Sequence, residues 1–500
     1  MKNRQILLGL PLLLMSCGGA QIPEQYSQAD RLPDIYPDYV GVTVPVNMAP
    51  LRFQLMQDAD EVLTRLSAGT EEVVLEGRKA CPSADDWQRL TAQASGKDSI
   101  CVEVFVNQDS QWKRFRPFGI YVSPDSIDPW LTYRLISPSY VTYEELTLNQ
   151  RCLESYEERV IYNNMLCSTE IDGQCINCHH SQLGNPARTQ FHARQNLGGT
   201  MLNIDGRLHK VNLKTDSTLS AGVYPAWHPT LNILAYSTNK TMQSFHTRDV
   251  DKIEVLDSQS DLILYDPEQG EVSTIENDPD EFETFPCWSP DGKWLYYCSA
   301  HFEVHDTVQS VDAQCIRRYK EIKYNVYRKS FDPETRLFGA RETVLAADSM
   351  NLSATLPRIS PDGRFLLLAV GEWGTFHIWH RDADLWLMDL QTMQIRPFKE
   401  VNSPSVESYH TWSRSGRWIV FSSRRYDENF TRPFFAHVDA DGHATKPFEL
   451  PAEDPDYHRQ LMKSYNVPEF LLGPVQTTPQ QYADALKQDA TPAKFVSKKR

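Results

Sequence analysis

Four copies of one short pattern constrain this chain more than any other feature. Tyr224–Ser237, Phe285–Ser299, Leu356–Leu368 and Tyr409–Ser423 each run from an aromatic or apolar residue through a tight turn into a second stretch of alternating bulky side chains. In the second and third copies the turn is Ser-Pro-Asp-Gly, at 289–292 and 360–363. Proline presets φ and glycine supplies the positive φ that closes the turn, so each copy is predicted to be a β-hairpin. Asp291 and Asp362 are then turn residues rather than catalytic carboxylates, and Trp227, Trp288 and Trp412 are expected in the core.

A second element recurs between the copies. Asp261–Val272, Tyr324–Val344 and Asp384–Ile395, joined by Thr200–Leu213 and Arg432–Phe448, are strand pairs around a polar turn. An inner and an outer hairpin make a four-stranded sheet, and such sheets repeated radially make a β-propeller. Five outer and four inner hairpins give five or six blades. The copies start at 224, 285, 356 and 409, wider than the roughly 40–50 residues of a minimal blade. Residues 238–260, 300–322 and 371–383 are therefore insertions, the kind of segment that builds binding sites on a propeller face. His377, His380 and His410 lie at strand ends or in an insertion and are candidates to line the channel.

The inner copies resemble the repeat of TolB-type periplasmic propellers, an aromatic-Ser-Pro-Asp-Gly-Lys/Arg turn before an apolar strand. The resemblance covers 197–450. It departs from the pattern at His228-Pro229-Thr230 in the first copy and at Arg414-Ser415 in the fourth.

Upstream, Glu72–Glu76, Ile100–Val106 and Gly119–Ser123 alternate apolar with polar residues, which predicts a small β-sandwich-like domain over 35–138. In 139–196, Thr142 with Glu145 forms a capping box, and Leu146, Leu153, Tyr156 and Val160 follow at helical spacing. That predicts a helix over 142–166, part of a short helical segment that carries Cys175–His179. Residues 18–34 are a polar tether and 451–500 a C-terminal extension.

The chemistry in the chain is concentrated in Cys175-Ile176-Asn177-Cys178-His179. CxxCH is the pattern that attaches haem c: two thiols form thioethers and the histidine takes an axial position on the iron. The second axial ligand would be His192, with His180 and Met201 as alternatives, and Arg194 would pair with a propionate. Two other readings use the same residues: a disulfide across Cys175 and Cys178, and a zinc site of Cys175, Cys178, His179 and His192.

The N-terminus agrees with export. Lys2 and Arg4, an apolar run from Ile6 to Met15, and Leu14-Met15-Ser16-Cys17 form a lipoprotein signal over 1–17, with Cys17 the lipidated residue. Gly18 rather than Asp after Cys17 permits sorting to the outer membrane. No other segment has the about 20 apolar residues that a membrane span needs. A net charge of −16 excludes a nucleic-acid partner, which would need a basic face. Of the remaining cysteines, Cys81 with Cys101 and Cys152 with Cys167 are candidate disulfides.

The whole chain resembles lipidated TolB-like propeller proteins of Gram-negative envelopes, in which a CxxCH segment, Phe-His-x-Arg and Gly-Gly-Thr precede the first blade. The matching residues here are 175–179, 191–194 and 198–200. The resemblance implies a lipid-anchored, periplasm-facing protein, often labelled cytochrome-related. Three functions follow as expectations. The first is electron transfer or redox or ligand sensing through haem c. The second is a scaffold that binds envelope protein or glycan at the propeller face. The third, a hydrolase, is disfavoured because no Gly-x-Ser-x-Gly elbow is present.

Overall fold

A computed structural model describes residues 20–137, 145–169, 172–305 and 308–497. Cys17 and the leader lie outside these, as does Thr142. The fold is mainly β, and among the described residues no helix is long and apolar enough to cross a bilayer.

All four predicted inner hairpins and all five outer hairpins form. In the turns, Asp291 accepts from Ser289 Oγ at 2.5 Å and from the Lys293 amide at 3.0 Å, and Asp362 makes the same pair with Ser360 and Arg364. These carboxylates are consumed by turn closure. Trp288 and Trp412 are buried and donate their indole N–H groups to backbone carbonyls of the preceding inner strand, Ala226 and Arg358.

The fifth inner hairpin is the CxxCH segment itself. Gln174–Ser181 pairs antiparallel with Arg188–Gln195, and Gly199–Ile204 and Arg207–Asn212 complete a sheet. A sixth unit is built from both ends of the domain. Ser464–Leu471 is its inner strand, followed outward by Trp130–Ile136, Thr147–Cys152 and Glu158–Asn163. The six inner strands, starting at 174, 223, 281, 353, 407 and 464, touch in sequence and close a ring.

Three expectations are corrected by this layout. Where the predicted helix over 142–166 falls on described residues, from 145 on, two strands and one 3-10 turn at Asn164–Leu166 stand in its place. Partners distant in sequence at 130–136 and 464–471 outweigh the local periodicity of Leu146, Leu153, Tyr156 and Val160. The CxxCH segment is likewise strand, not helix. The ring also reaches beyond 197–450, taking Trp130–Ile136 from the upstream domain and Ser464–Leu471 from the C-terminal extension.

The upstream domain has a seven-stranded sheet and a small second sheet of Ile35–Tyr36, Phe53–Leu55 and Lys79–Ala80 that shares its core, and to these it adds the helix Ala84–Ala94, which the sandwich-like reading did not include. Ser83 caps that helix by accepting from the Asp86 amide at 3.1 Å, and Trp87, Leu90 and Ala94 enter the core. The core continues into the ring through Trp418, Phe435 and Phe448. After the helix Pro479–Leu486, the tail adds Thr491–Pro492 and Lys494–Phe495 to the outer edges of two neighbouring units and covers both.

Candidate functional site

Every inner strand carries the same irregularity. Cys178, Tyr224, Phe285, Leu356, Tyr409 and Val467 all have φ between 46° and 55°, each beside a register shift in its ladder. A positive φ costs a non-glycine residue energy and usually marks a local demand. Its recurrence in all six strands makes it a β-bulge required by the ring. The six residues meet at the axis around a void of only about 40 Å³. The ring is therefore plugged at its centre.

The bulge decides where the CxxCH side chains go. In a regular strand, residues three apart face opposite sides. Here Cys175 and Asn177 share a face, and the left-handed turn at Cys178 swings the second thiol to join them. Gln190 Nε2 donates to the Cys178 carbonyl and Arg134 Nη1 to the Ile176 carbonyl, the latter at 3.0 Å, and these bonds hold the distorted backbone. Both thiols line a cavity of about 720 Å³ at one mouth of the ring, within the roughly 300–1,000 Å³ of cofactor and ligand sites.

Three kinds of element build that cavity. The starts of the inner strands at 174, 223 and 464 supply its floor. The insertion 238–260 extends one hairpin into a long arm whose Thr241, Ile253 and Val255 form a wall. The insertion 371–383 supplies Phe376, Ile378 and Trp379. The two insertions are tied together at Glu254, which accepts from Trp373 Nε1 at 2.9 Å and pairs with His380 Nε2 at 3.1 Å, all buried.

His192 and Arg194 also line the cavity. The His192 Nδ1 atom is engaged by Thr200 Oγ1 at 3.1 Å, so Nε2 is its remaining nitrogen for a ligand. Burial, helped by Arg194, holds this imidazole neutral by pushing its pKa down to about 3. A neutral imidazole is the metal-binding form. Burial pushes the Cys178 thiol up, against the pull of Arg194.

His179 goes elsewhere. It follows the bulge residue and turns away from the thiols into two small voids of about 20 and 40 Å³. It is 9% exposed, and neither ring nitrogen makes a hydrogen bond of normal geometry. Burial, with Arg134 and His180 adding to it, lowers its pKa to about 4 against the opposing pull of Glu469. His180 Nδ1 pairs with the buried Glu469 at 2.9 Å. Burial would raise the Glu469 carboxyl, but the His180 contact outweighs it and the pKa is lowered. Among the expected site residues, then, Cys175, Cys178, His192 and Arg194 come together and His179 does not. The zinc tetrad is not assembled either, since no group of three or more such ligands has metal geometry among the described residues.

Other expectations also resolve. All nine described cysteines are free thiols, so Cys81–Cys101 and Cys152–Cys167 are not disulfides. Cys101 sits mid-strand opposite Ser67 and Gly119 instead. His377 and His380 are buried within the 371–383 insertion, and His410 follows the bulge residue Tyr409. Sequence reading missed Arg134 and Arg424, which line the cavity from segments far apart in the chain.

No protein-family model and no curated protein sequence matches the chain. Solved structures of similar shape include Kuenenia stuttgartiensis hydrazine synthase, at 12% identity and a TM-score of 0.31 over 53% of this chain and 64% of that one. A second is the β-propeller domain of the Trilobed protease from Pyrococcus furiosus, at 11% identity and 0.32 over 71% and 95%. A third is a puromycin-hydrolysing peptidase of Mycobacterium tuberculosis, at 13% identity and 0.34 over 82% and 57%. The chain thus spans less than two thirds of the hydrazine synthase and peptidase chains it matches. These likenesses concern propeller-type folding and carry nothing about activity.

Proposed function

We propose that this protein is an envelope lipoprotein, anchored through Cys17 to the outer membrane and facing the periplasm, whose six-bladed propeller holds a covalently attached haem c in its mouth cavity. Its role on this reading is electron transfer, or sensing of redox state or of a small ligand. One observation carries the proposal: the bulge at Cys178 turns two thiols that a regular strand would separate toward one cofactor-sized cavity.

Cys175 and Cys178 would each add S–H across a vinyl double bond, sulfur to one carbon and hydrogen to the other, with no net oxidation. His192 is the histidine facing the same space and would supply the axial nitrogen through Nε2. Its bond to Thr200 would fix the ring's orientation. His179 does not fit that role, because its imidazole lies in voids far too small for a macrocycle. When bound, the haem supplies a one-electron couple, and the apolar insertion walls would keep water from it.

The test is a haem-stained denaturing gel with absorption spectra, on protein exported by a host that matures c-type cytochromes. Covalent stain in the wild type, lost in Cys175→Ala/Cys178→Ala, supports the reading. No stain and no Soret band would sink it and leave the second reading, a scaffold that binds envelope protein or glycan at the same mouth. The depth of the insertion-walled cavity favours keeping that alternative.

A further inference from the structure

The mouth cavity reverses the charge of the chain that forms it. The protein has 66 acidic against 50 basic side chains, yet the cavity is lined by Arg134, Arg194, Lys214 and Arg424 and, among the described residues, by no carboxylate. A concave site lined by one sign of charge concentrates ligands of the other.

Two of these cations, the buried Arg134 and the half-buried Arg424, lack an ion-pair partner among the described residues. Arg134 is 7% exposed; its Nη1 donates to the Ile176 carbonyl at 3.0 Å, while Nε has no acceptor. Arg424 stacks over the Trp379 ring at 4.3 Å, and its Nε is also buried without an acceptor. Neither closes an ion pair with a carboxylate among the described residues. Burial depresses the Arg424 guanidinium to about 10, and Asp427 and Asp251 restore it only in part. Both residues line the same cavity, Arg134 from the strand Trp130–Ile136 and Arg424 from the segment after Trp418–Ser423. Leaving a buried cation unpaired is costly, and a site that keeps one buried and one half-buried is shaped for an anion brought by something else. The same cavity also has an apolar lining, with Ile136, Leu146, Val211, Leu213, Ile253 and Val255.

We propose that Arg134 and Arg424 are the anion-recognising pair of the mouth cavity, and that its occupant is an apolar body carrying paired carboxylates. The proposal rests on the haem reading only for the identity of that body, whose carboxylates would then be the two propionates. It moves their recognition from the exposed Arg194 to the buried floor.

The test uses the full chain with Cys175→Ala and Cys178→Ala, so that binding is reversible. Haemin and haemin dimethyl ester are titrated while the Soret band and tryptophan quenching are followed. Haemin should bind at least ten times more tightly than the diester. Arg134→Gln and Arg424→Gln should each cost haemin tenfold or more and the diester much less, with Arg424→Lys restoring part of the loss. Circular dichroism establishes that each variant is folded. Equal binding of acid and diester, or indifference to both arginine variants, overturns the proposal even if covalent haem is present. Should haemin not bind, hexadecanedioic acid and its dimethyl ester are compared by calorimetry. Acid-selective binding lost in Arg134→Gln keeps the proposal and sinks the haem reading; binding of neither sinks both.

Discussion

The strand Gln174–Ser181 and the other five inner strands share one backbone and differ in what they carry on it. At the bulge, the others place Tyr224, Phe285, Leu356, Tyr409 or Val467, bulky groups that plug the axis; this strand places Cys178. Immediately after the bulge, four strands have proline, at 225, 286, 357 and 468, while two have histidine, His179 and His410. Where ring packing alone sets the residue, it is large and apolar. A small thiol at one of six equivalent positions, three residues from another thiol and facing the same cavity, points to chemistry rather than packing.

The two histidines make the comparison sharper. Both are buried and neutral, but His410 donates from Nε2 to the Leu367 carbonyl at 3.0 Å, while His179 makes no hydrogen bond of normal geometry. His410 thus ties its strand to the strand Phe365–Gly371 of the neighbouring sheet through a bond that has no counterpart of normal geometry at His179.

Breaking the comparison at the thiols should have the largest effect. Cys175→Ala/Cys178→Ala should abolish covalent haem staining entirely while lowering stability in urea by only about 1 kcal/mol. Phe285→Ala removes a true plug residue, 3% exposed, and should cost about 3–5 kcal/mol in the same titration, haem or no haem. If both substitutions cost the same, the thiol is packing after all.

Smaller effects should separate the histidines. His410→Leu strands a buried carbonyl and should lose about 1–3 kcal/mol at pH 7.5. Burial lowers the His410 pKa to about 3 from its ordinary 6.5. Between those values the unfolded chain takes up a proton that the fold refuses, so the wild type loses stability as pH falls through that window. The leucine variant has no such penalty, and its deficit should close or reverse by about pH 4 in pH-resolved urea titrations. His179→Leu gives up no hydrogen bond of normal geometry and should change stability at pH 7.5 by less than about 1 kcal/mol in either direction.

The ring was legible wherever its turns announced themselves. Ser289-Pro290-Asp291-Gly292 and Ser360-Pro361-Asp362-Gly363 specify their hairpins locally, through side-chain bonds that close within five residues. The CxxCH hairpin escaped because its connection, 182–187, lacks that turn and its motif invited a different reading. Ring closure escaped because it pairs Trp130–Ile136 with Ser464–Leu471, a relation that no local pattern encodes. The sandwich-like reading missed the helix encoded by Ser83 and the Trp87-Leu90-Ala94 spacing, a helical signal lying between strands. At the site, Cys175, Cys178, His192 and Arg194 were readable as a motif and its echo. The misfit of His179 was not, since it follows from a bulge visible only in three dimensions, and Arg134 and Arg424 come to one cavity only once the ring is closed.

The most direct test of the central claim is the absorption spectrum of matured protein in three forms: wild type, His192→Ala and His179→Leu. The account predicts covalent haem in all three, altered axial-ligation bands in His192→Ala, and a His179→Leu spectrum indistinguishable from wild type. Haem-free wild type, or ligation bands that change with His179 and not with His192, would contradict it.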